Sequence, residues 1–185
     1  MSTALLVIDV QMAFVARRAA GYVWGNPLAD TSIASLLKAF RDKGLPVLHV
    51  LHHGLDPDDP FHADAPGAVV QPVAAAIAGE PVFIKHASSG FSGTGLGDYL
   101  QAQAITGLVI CGGAANYCVE STTRAASDLG YVVTVVGDAL INFRQKLADG
   151  REVSAADVLA LTLANLDGEF AHVAVVNEIL TQVSA

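Results

Sequence analysis

A carboxylate, an ammonium group and a thiol stand at or just past the ends of three strand-like runs. Asp9 falls near the end of ALLVIDV, Lys85 closes PVFIK, and Cys118 follows the turn GGAANY after LVIC. A thiol is a nucleophile, a carboxylate can act as base and then as acid, and a nearby ammonium stabilises a thiolate. Each residue type also has an ordinary structural use. An aspartate caps turns, a lysine solvates a strand end, and a buried cysteine packs as a small hydrophobe, which is how Cys111 is read. The setting of Cys118 is different. Two glycines and two alanines turn the chain off the strand, and the cysteine opens the helical run 118–129. The positive end of a helix favours the thiolate, so a depressed thiol pKa is expected, and a lysine beside it would lower it further. Backbone N–H groups in the same turn can hold an oxyanion.

The elements that must position these groups alternate. Strand-like runs at 4–10, 46–52, 81–85, 108–111, 131–136 and 171–176 are separated by helical ones at 30–43, 69–78, 96–104, 118–129 and 154–166. A short terminal helix is read over 178–183. In 30–43, Ile33, Leu36, Leu37 and Phe40 recur at helical spacing and Gly44 stops the run. Ser154 and Asp157 suit the first turn of their helix. Such alternation implies βαβ units with right-handed crossovers. The expected fold is α/β: a three-layer αβα sandwich around a doubly wound, six-stranded, mainly parallel sheet. In such sheets ligands sit outside the carboxyl ends of the strands, where the three residues fall. The whole of 1–185 is read as one domain.

Composition removes several classes of function. At 52% apolar but only 6% aromatic, the core must rest on Val, Leu, Ile and Ala, which suits a buried parallel sheet. A net charge of −8 speaks against nucleic acid and anionic membranes, which need clustered Lys and Arg. No apolar run reaches the roughly 20 residues of a membrane span, and no leader pattern opens the sequence, so a cytoplasmic location is expected. Two cysteines make neither a disulfide framework nor a zinc cage.

Other signals are weaker. His49, His52, His53 and His62 lie near Asp56, Asp58 and Asp59, yet His49 and His53 point opposite to His52 along a strand, so no metal is assigned. Gly90, Gly93, Gly95 and Gly97 form neither a Walker loop nor a GxGxxG fingerprint, because position 98 is Asp; they read as a flexible loop and helix entry, and no cofactor is expected. The loop 53–67 is long and rich in Asp, Pro and His, as functional loops often are. Tyr22 and Trp24 are read as pocket walls or an oligomer contact. The candidate pocket residues are Phe14, Trp24, His53 and Tyr117.

Three segments together resemble the isochorismatase-like cysteine hydrolases, a family that includes nicotinamidases and N-carbamoylsarcosine amidases. LLVIDVQMAF is similar to the family's opening strand with its Asp-x-Gln-x-x-Phe signature, here Asp9, Gln11 and Phe14. GEPVFIKHASSGFSGTGLGDYL resembles its lysine strand with Ser, Phe and Thr-x-Leu, here Lys85, Ser89, Phe91, Thr94 and Leu96. CGGAANYCVESTTRAASDLGYVVTVVGDA resembles its nucleophile segment. The resemblance covers nearly the whole chain. It implies a catalytic triad of Asp9, Lys85 and Cys118, a cis peptide at 113–114, and an oxyanion hole from the N–H groups of Ala114 and Cys118. It implies amide-type C–N cleavage of a small molecule through a thioester, and a homo-oligomer, dimeric or larger. Two positions depart from the pattern. Ala115 stands where the family commonly has Thr, and HVLHHGLDPDDPFH replaces the Asp-x-His…His arrangement that binds metal in nicotinamidases. Neither that metal nor nicotinamide is therefore expected. The alternatives are a vinyl-ether hydrolase of the isochorismatase type, which needs no cysteine, and a non-catalytic binding member of the fold, in which a triad residue would be lost.

Overall fold

The computed structural model describes residues 2–184. Six strands form one parallel sheet: β1 (Ser2–Ile8), β2 (Val47–His52), β3 (Val82–Lys85), β4 (Ile105–Gly113), β5 (Val132–Ile141) and, after a two-stranded antiparallel ribbon of β6 (Gln145–Lys146) and β7 (Glu152–Val153), β8 (His172–Ala174). Their order across the sheet is β3-β2-β1-β4-β5-β8. The chain walks outward from β1 to β3 and then jumps back to β4 on the other side of β1. That reversal opens a crevice beyond the carboxyl ends of β1 and β4.

Side chains of the strands alternate between two cores, as a pleated sheet covered on both faces requires. Leu5 and Val7 share one core with Ile33, Leu36, Leu37 and Phe40 of α2 (Ala29–Asp42) and Ile179 of α6 (Val176–Ser184). Ala4, Leu6 and Ile8 share the other with Leu96 and Leu100 of α3 (Leu96–Ala102), Ala126 of α4 (Glu120–Asp128) and Leu166 of α5 (Ala155–Leu166). Each fully buried Leu or Ile contributes roughly 1.5–3 kcal/mol, and on α2 all four large apolar side chains are at most 1% exposed. Ser154 caps α5 by accepting from the Asp157 N–H, as its sequence suggests. No described helix is long and apolar enough to cross a membrane.

Several elements differ from the sequence reading. Residues 69–78 are not a helix; two 3₁₀ turns, Pro66–Ala68 and Pro72–Ala74, stand in this region. Each begins at a proline, and Gln71 before Pro72 is extended at φ −63°, ψ 140°, the conformation a following proline favours. The Val69 carbonyl is instead used by the Met12 N–H at 2.8 Å. A helix absent from the sequence reading, α1 (Met12–Ala19), follows β1 directly. The run 118–129 divides into a π-helical turn, Ala115–Val119, and then α4. β4 and β5 each extend well past their apolar cores, and the β6–β7 ribbon was not foreseen.

Candidate active site

Asp9 is the first residue beyond β1 and has a left-handed backbone, φ 50°. Aspartate tolerates that conformation better than most residues, and its N–H is held by the Val50 carbonyl at 2.8 Å. Lys85 ends β3, the edge strand, and its side chain is fully buried. The ammonium donates to Asp9 Oδ2 at 2.8 Å and to Cys118 Sγ at 3.1 Å. The structure thus brings all three residues to one point. The second carboxylate oxygen of Asp9, Oδ1, is buried without a hydrogen-bond partner among the described residues.

Cys118 sits in the π-helical turn, half-buried, while Cys111 on β4 is fully buried. The turn starts from Ala114, whose carbonyl accepts from the N–H groups of Tyr117 and Val119 at 3.0 and 3.2 Å. The peptide bond between Gly113 and Ala114 is cis. The two glycines before it are sterically required. A β-carbon on Gly112, at φ 115°, would lie 2.0 Å from the Ile8 carbonyl oxygen, and one on Gly113 would lie 2.5 Å from the Phe14 ring. Gly112→Ala should therefore push β4 away from β1 beside Asp9. The expected result is a loss of unfolding free energy of about 2 kcal/mol, in the range of core overpacking, read by denaturant unfolding.

Polar residues around the site lock its walls. The Gln11 amide donates to the carbonyls of His52 and Ala68, both at 2.9 Å, and accepts from the His52 N–H at 3.0 Å. It ties the end of β1 to the end of β2 and to the first 3₁₀ turn. The Thr122 hydroxyl donates to the Cys118 carbonyl at 2.6 Å and accepts from the Gly90 N–H at 2.9 Å, so the 86–95 loop is fastened to the cysteine turn. Thr94 bridges within that loop, donating to the Gly90 carbonyl and accepting from the Leu96 N–H.

Above Asp9, Ala114 and Cys118 lies a cavity of about 630 Å³. Phe14, Phe61, Tyr117, Pro60 and the alanines of α1 make most of its wall, with Arg17, His52, Asp59 and Ser88 as polar members. Phe14 and Phe61 meet edge to face at 5.2 Å, and the Tyr117 hydroxyl is anchored to Gln145 of the ribbon at 3.0 Å. Of the four candidate pocket residues, the structure brings Phe14 and Tyr117 to the cavity and leaves out the other two. Trp24 is 3% exposed, packed in the core of α2 with the Arg18 guanidinium over its ring at 4.5 Å. His53 lies outside the wall, its N–H bonded to the Lys85 carbonyl at 2.9 Å. Strand parity aims its neighbour His52 at the cavity instead. Arg17, Asp59, Phe61 and Ser88 were not singled out from sequence; recognising α1 would have placed Arg17 three residues beyond Phe14 on the same face. His49, the other strand histidine, is bound to Glu80 at 2.9 Å. Among the described residues no three His, Cys, Asp or Glu side chains gather as a metal site would require.

The electrostatics correct one expectation. Burial pushes the Cys118 thiol up, to about 12, and the Asp9 carboxylate adds to the effect while Lys85 pulls against it. Burial likewise lifts Asp9 above the usual carboxylate range, with Lys85 opposing. Desolvation thus outweighs the lysine, and Cys118 lies inside the π-helical turn, not at the first residue of α4. At rest the proton belongs on sulfur. Iodoacetamide labelling of Cys118 should accordingly climb with pH throughout 6–9, without levelling off, and still precede labelling of the inaccessible Cys111. A plateau near neutrality, or equal rates at the two cysteines, would contradict this picture.

Residues 3–156 match the isochorismatase domain. The chain is 33% identical over 181 residues to the uncharacterized isochorismatase family protein YddQ of Bacillus subtilis, covering 94% of this chain and 96% of that one. It is 36% identical over 145 residues to a streptothricin hydrolase of Streptomyces noursei, covering 74% of this chain and 48% of that one. Among solved structures it is similar to an isochorismatase-family protein from Chromobacterium violaceum, at TM-score 0.93 and 34% identity, with 99% and 94% of the two chains covered. A cysteine hydrolase from Pseudomonas syringae pv. phaseolicola aligns at TM-score 0.88 and 26% identity, with 98% and 92% covered. N-carbamoylsarcosine amidase from Thermoplasma acidophilum aligns at 0.75 and 27%, with 96% and 98% covered. A parallel sheet with its crevice at β1 and β4, and sequence likeness running almost end to end, make this chain a member of the isochorismatase family of hydrolases.

Proposed function

We propose that the chain is a cysteine hydrolase that cleaves an amide-type C–N bond of a small molecule, with Asp9, Lys85 and Cys118 as its catalytic residues. The observation that carries this reading is the buried Lys85 ammonium, 2.8 Å from Asp9 and 3.1 Å from Cys118, beneath an open cavity. An isolated buried lysine is costly; one shared by a carboxylate and a sulfur serves a thiolate that forms only in passing. The similar proteins support the reading, since they include a cysteine hydrolase, an N-carbamoylsarcosine amidase and a streptothricin hydrolase.

In the proposed mechanism Asp9 takes the Cys118 proton on its free oxygen as the substrate carbonyl settles over the sulfur. Burial makes Asp9 a stronger base than an exposed carboxylate, which narrows the gap to the thiol. The thiolate adds to the carbonyl carbon, and the new oxyanion takes hydrogen bonds from the backbone N–H groups of Ala114 and Cys118. Collapse breaks the C–N bond while Asp9 returns its proton to the departing nitrogen, so ammonia or an amine leaves and a thioester remains on Cys118. A water then loses a proton to Asp9 and attacks the thioester. Its breakdown releases the acid and returns the proton to sulfur. Lys85, in contact with both, stabilises whichever of Asp9 and Cys118 is anionic.

A panel of primary and secondary amides, ureas and carbamoyl compounds, with a vinyl ether beside them, tests the reading; released ammonia or amine, or for the vinyl ether the carbonyl product, is the readout. Turnover of at least one member, with release matched by acid formed, is expected. Hydrolysis confined to a vinyl ether would move the chain to the isochorismatase reaction proper.

A further inference from the structure

We infer that Arg17 selects substrates bearing an anionic group, so that the cavity takes a flat, largely apolar amide with a carboxylate at the end remote from the scissile bond. This rests on the amide-hydrolase reading of the same cavity and deepens it.

Four residues of α1 line the cavity: Ala13, Phe14, Ala16 and Arg17. They share one face of the helix, because positions three and four apart are neighbours. Phe14 packs where a β-carbon on Gly113 would strike its ring, so the lower end of this face abuts the peptide that carries Ala114. Arg17 lies three residues on, roughly 4.5 Å further along the helix axis, which places it towards the rim. Much of the remaining wall is aromatic, made by Phe14, Phe61 and Tyr117. An amide seated over Cys118 therefore shares its cavity with aromatic rings and a cation.

The guanidinium is held in position yet left free to bind. It rests over the Phe143 ring at 5.1 Å and the Tyr22 ring at 5.4 Å, contacts that hold the group without using its N–H donors. It has no ion pair among the described residues, whereas Arg41, Arg124, Arg144 and Arg151 each face a carboxylate. In a chain of net charge −8, an arginine without a carboxylate partner in the wall of a cavity is a receptor for an outside anion. A planar guanidinium suits the two oxygens of a carboxylate. Asp59, an acidic member of the wall besides Asp9, is engaged within its own loop. Its Oδ1 accepts from the Phe61 N–H at 2.8 Å, and its carbonyl accepts from the His62 N–H at 2.8 Å. Asp59 thereby shapes the 54–62 loop, and it makes no ion pair with Arg17 among the described residues.

Binding to the Cys118→Ala protein, which should hold an amide uncleaved, tests this with 4-carbamoylbenzoate and benzamide as probes. By titration calorimetry the carboxylated amide should bind about five- to tenfold more tightly, an advantage that shrinks as salt is raised. Arg17→Gln added to this background should remove the advantage, whereas Arg18→Gln, whose side chain lies over Trp24, should leave it intact. Equal binding of the two probes, binding of neither, or an advantage that survives Arg17→Gln would overturn the inference. Failure of the amidase reading looks different: the wild-type protein would release no ammonia from either probe, while the Cys118→Ala protein would still discriminate between them.

Discussion

Replacing Cys118 with alanine is expected to lower kcat on any amide the protein turns over by on the order of 10⁴-fold or more, while the fold stays intact. The size of the effect follows from the role. Without sulfur there is no covalent intermediate, and what remains is binding and the backbone donors of the turn. The intact fold follows from the setting: Cys118 is only half-buried, and its backbone stays tied through the Thr122 hydroxyl. Cys118→Ser is a sharper test because it keeps the shape and a hydrogen bond to Lys85. Serine is the weaker nucleophile here, since a hydroxyl is far less acidic than a thiol and the base beside it is a carboxylate, so its activity should fall nearly as far. Steady-state kinetics with circular dichroism as the folding control read both results. Retention of more than a tenth of wild-type activity in either variant would remove Cys118 from the mechanism.

The second large effect is on stability as well as rate. Lys85 and Asp9 form a fully buried ion pair, at 0% and 2% side-chain exposure. Removing one partner strands the other's charge, which typically costs 3–5 kcal/mol; Lys85→Met should therefore lose about that much, along with activity. The pH dependence has a defined sign. Asp9 is already raised by burial against the pull of Lys85, so deleting the lysine raises it further. An acid whose folded pKa exceeds its unfolded value destabilises the fold once pH rises above the unfolded value, and the penalty is relieved as pH falls. The deficit of Lys85→Met relative to wild type should thus narrow between pH 7 and pH 5. The double variant Asp9→Leu, Lys85→Met removes both charges and should recover most of the stability while remaining inactive. Urea unfolding at the two pH values checks this. A single-variant loss below about 1 kcal/mol, or a deficit that widens on acidification, would mean that the pair carries little of the site's architecture.

How much of this was readable beforehand depends on the kind of information each feature needs. α2 was legible because Ile33, Leu36, Leu37 and Phe40 repeat at the helical period, and the strands because they are short apolar runs bounded by turns. The meeting of Asp9, Lys85 and Cys118 was legible because all three close strands or follow them, and parallel strands end on one edge. Residues 69–78 misled because their apolar content suggested a helix, although Pro72 and the extended residue before it ruled one out. The choice of His53 over His52 failed on a matter of facing: the alternation was plain, but which side looks onto the cavity depends on where β3 and the 54–62 loop lie. The Gln11 clamp on His52 joins residues 41 apart, a pairing that no local pattern encodes. The elevated thiol pKa was misjudged for a related reason. A lysine beside the thiol can be read in sequence, whereas the depth of burial that overrides it is a property of the assembled fold.

The measurement that bears most directly on the reaction is rapid acid quench of a turning-over amide followed by peptide mass spectrometry. An acyl group on the peptide containing Cys118, appearing before free acid and absent from Cys118→Ala, is the expected result. Full turnover with that peptide unmodified at every time point, or an adduct on Cys111 instead, would contradict covalent catalysis at this sulfur.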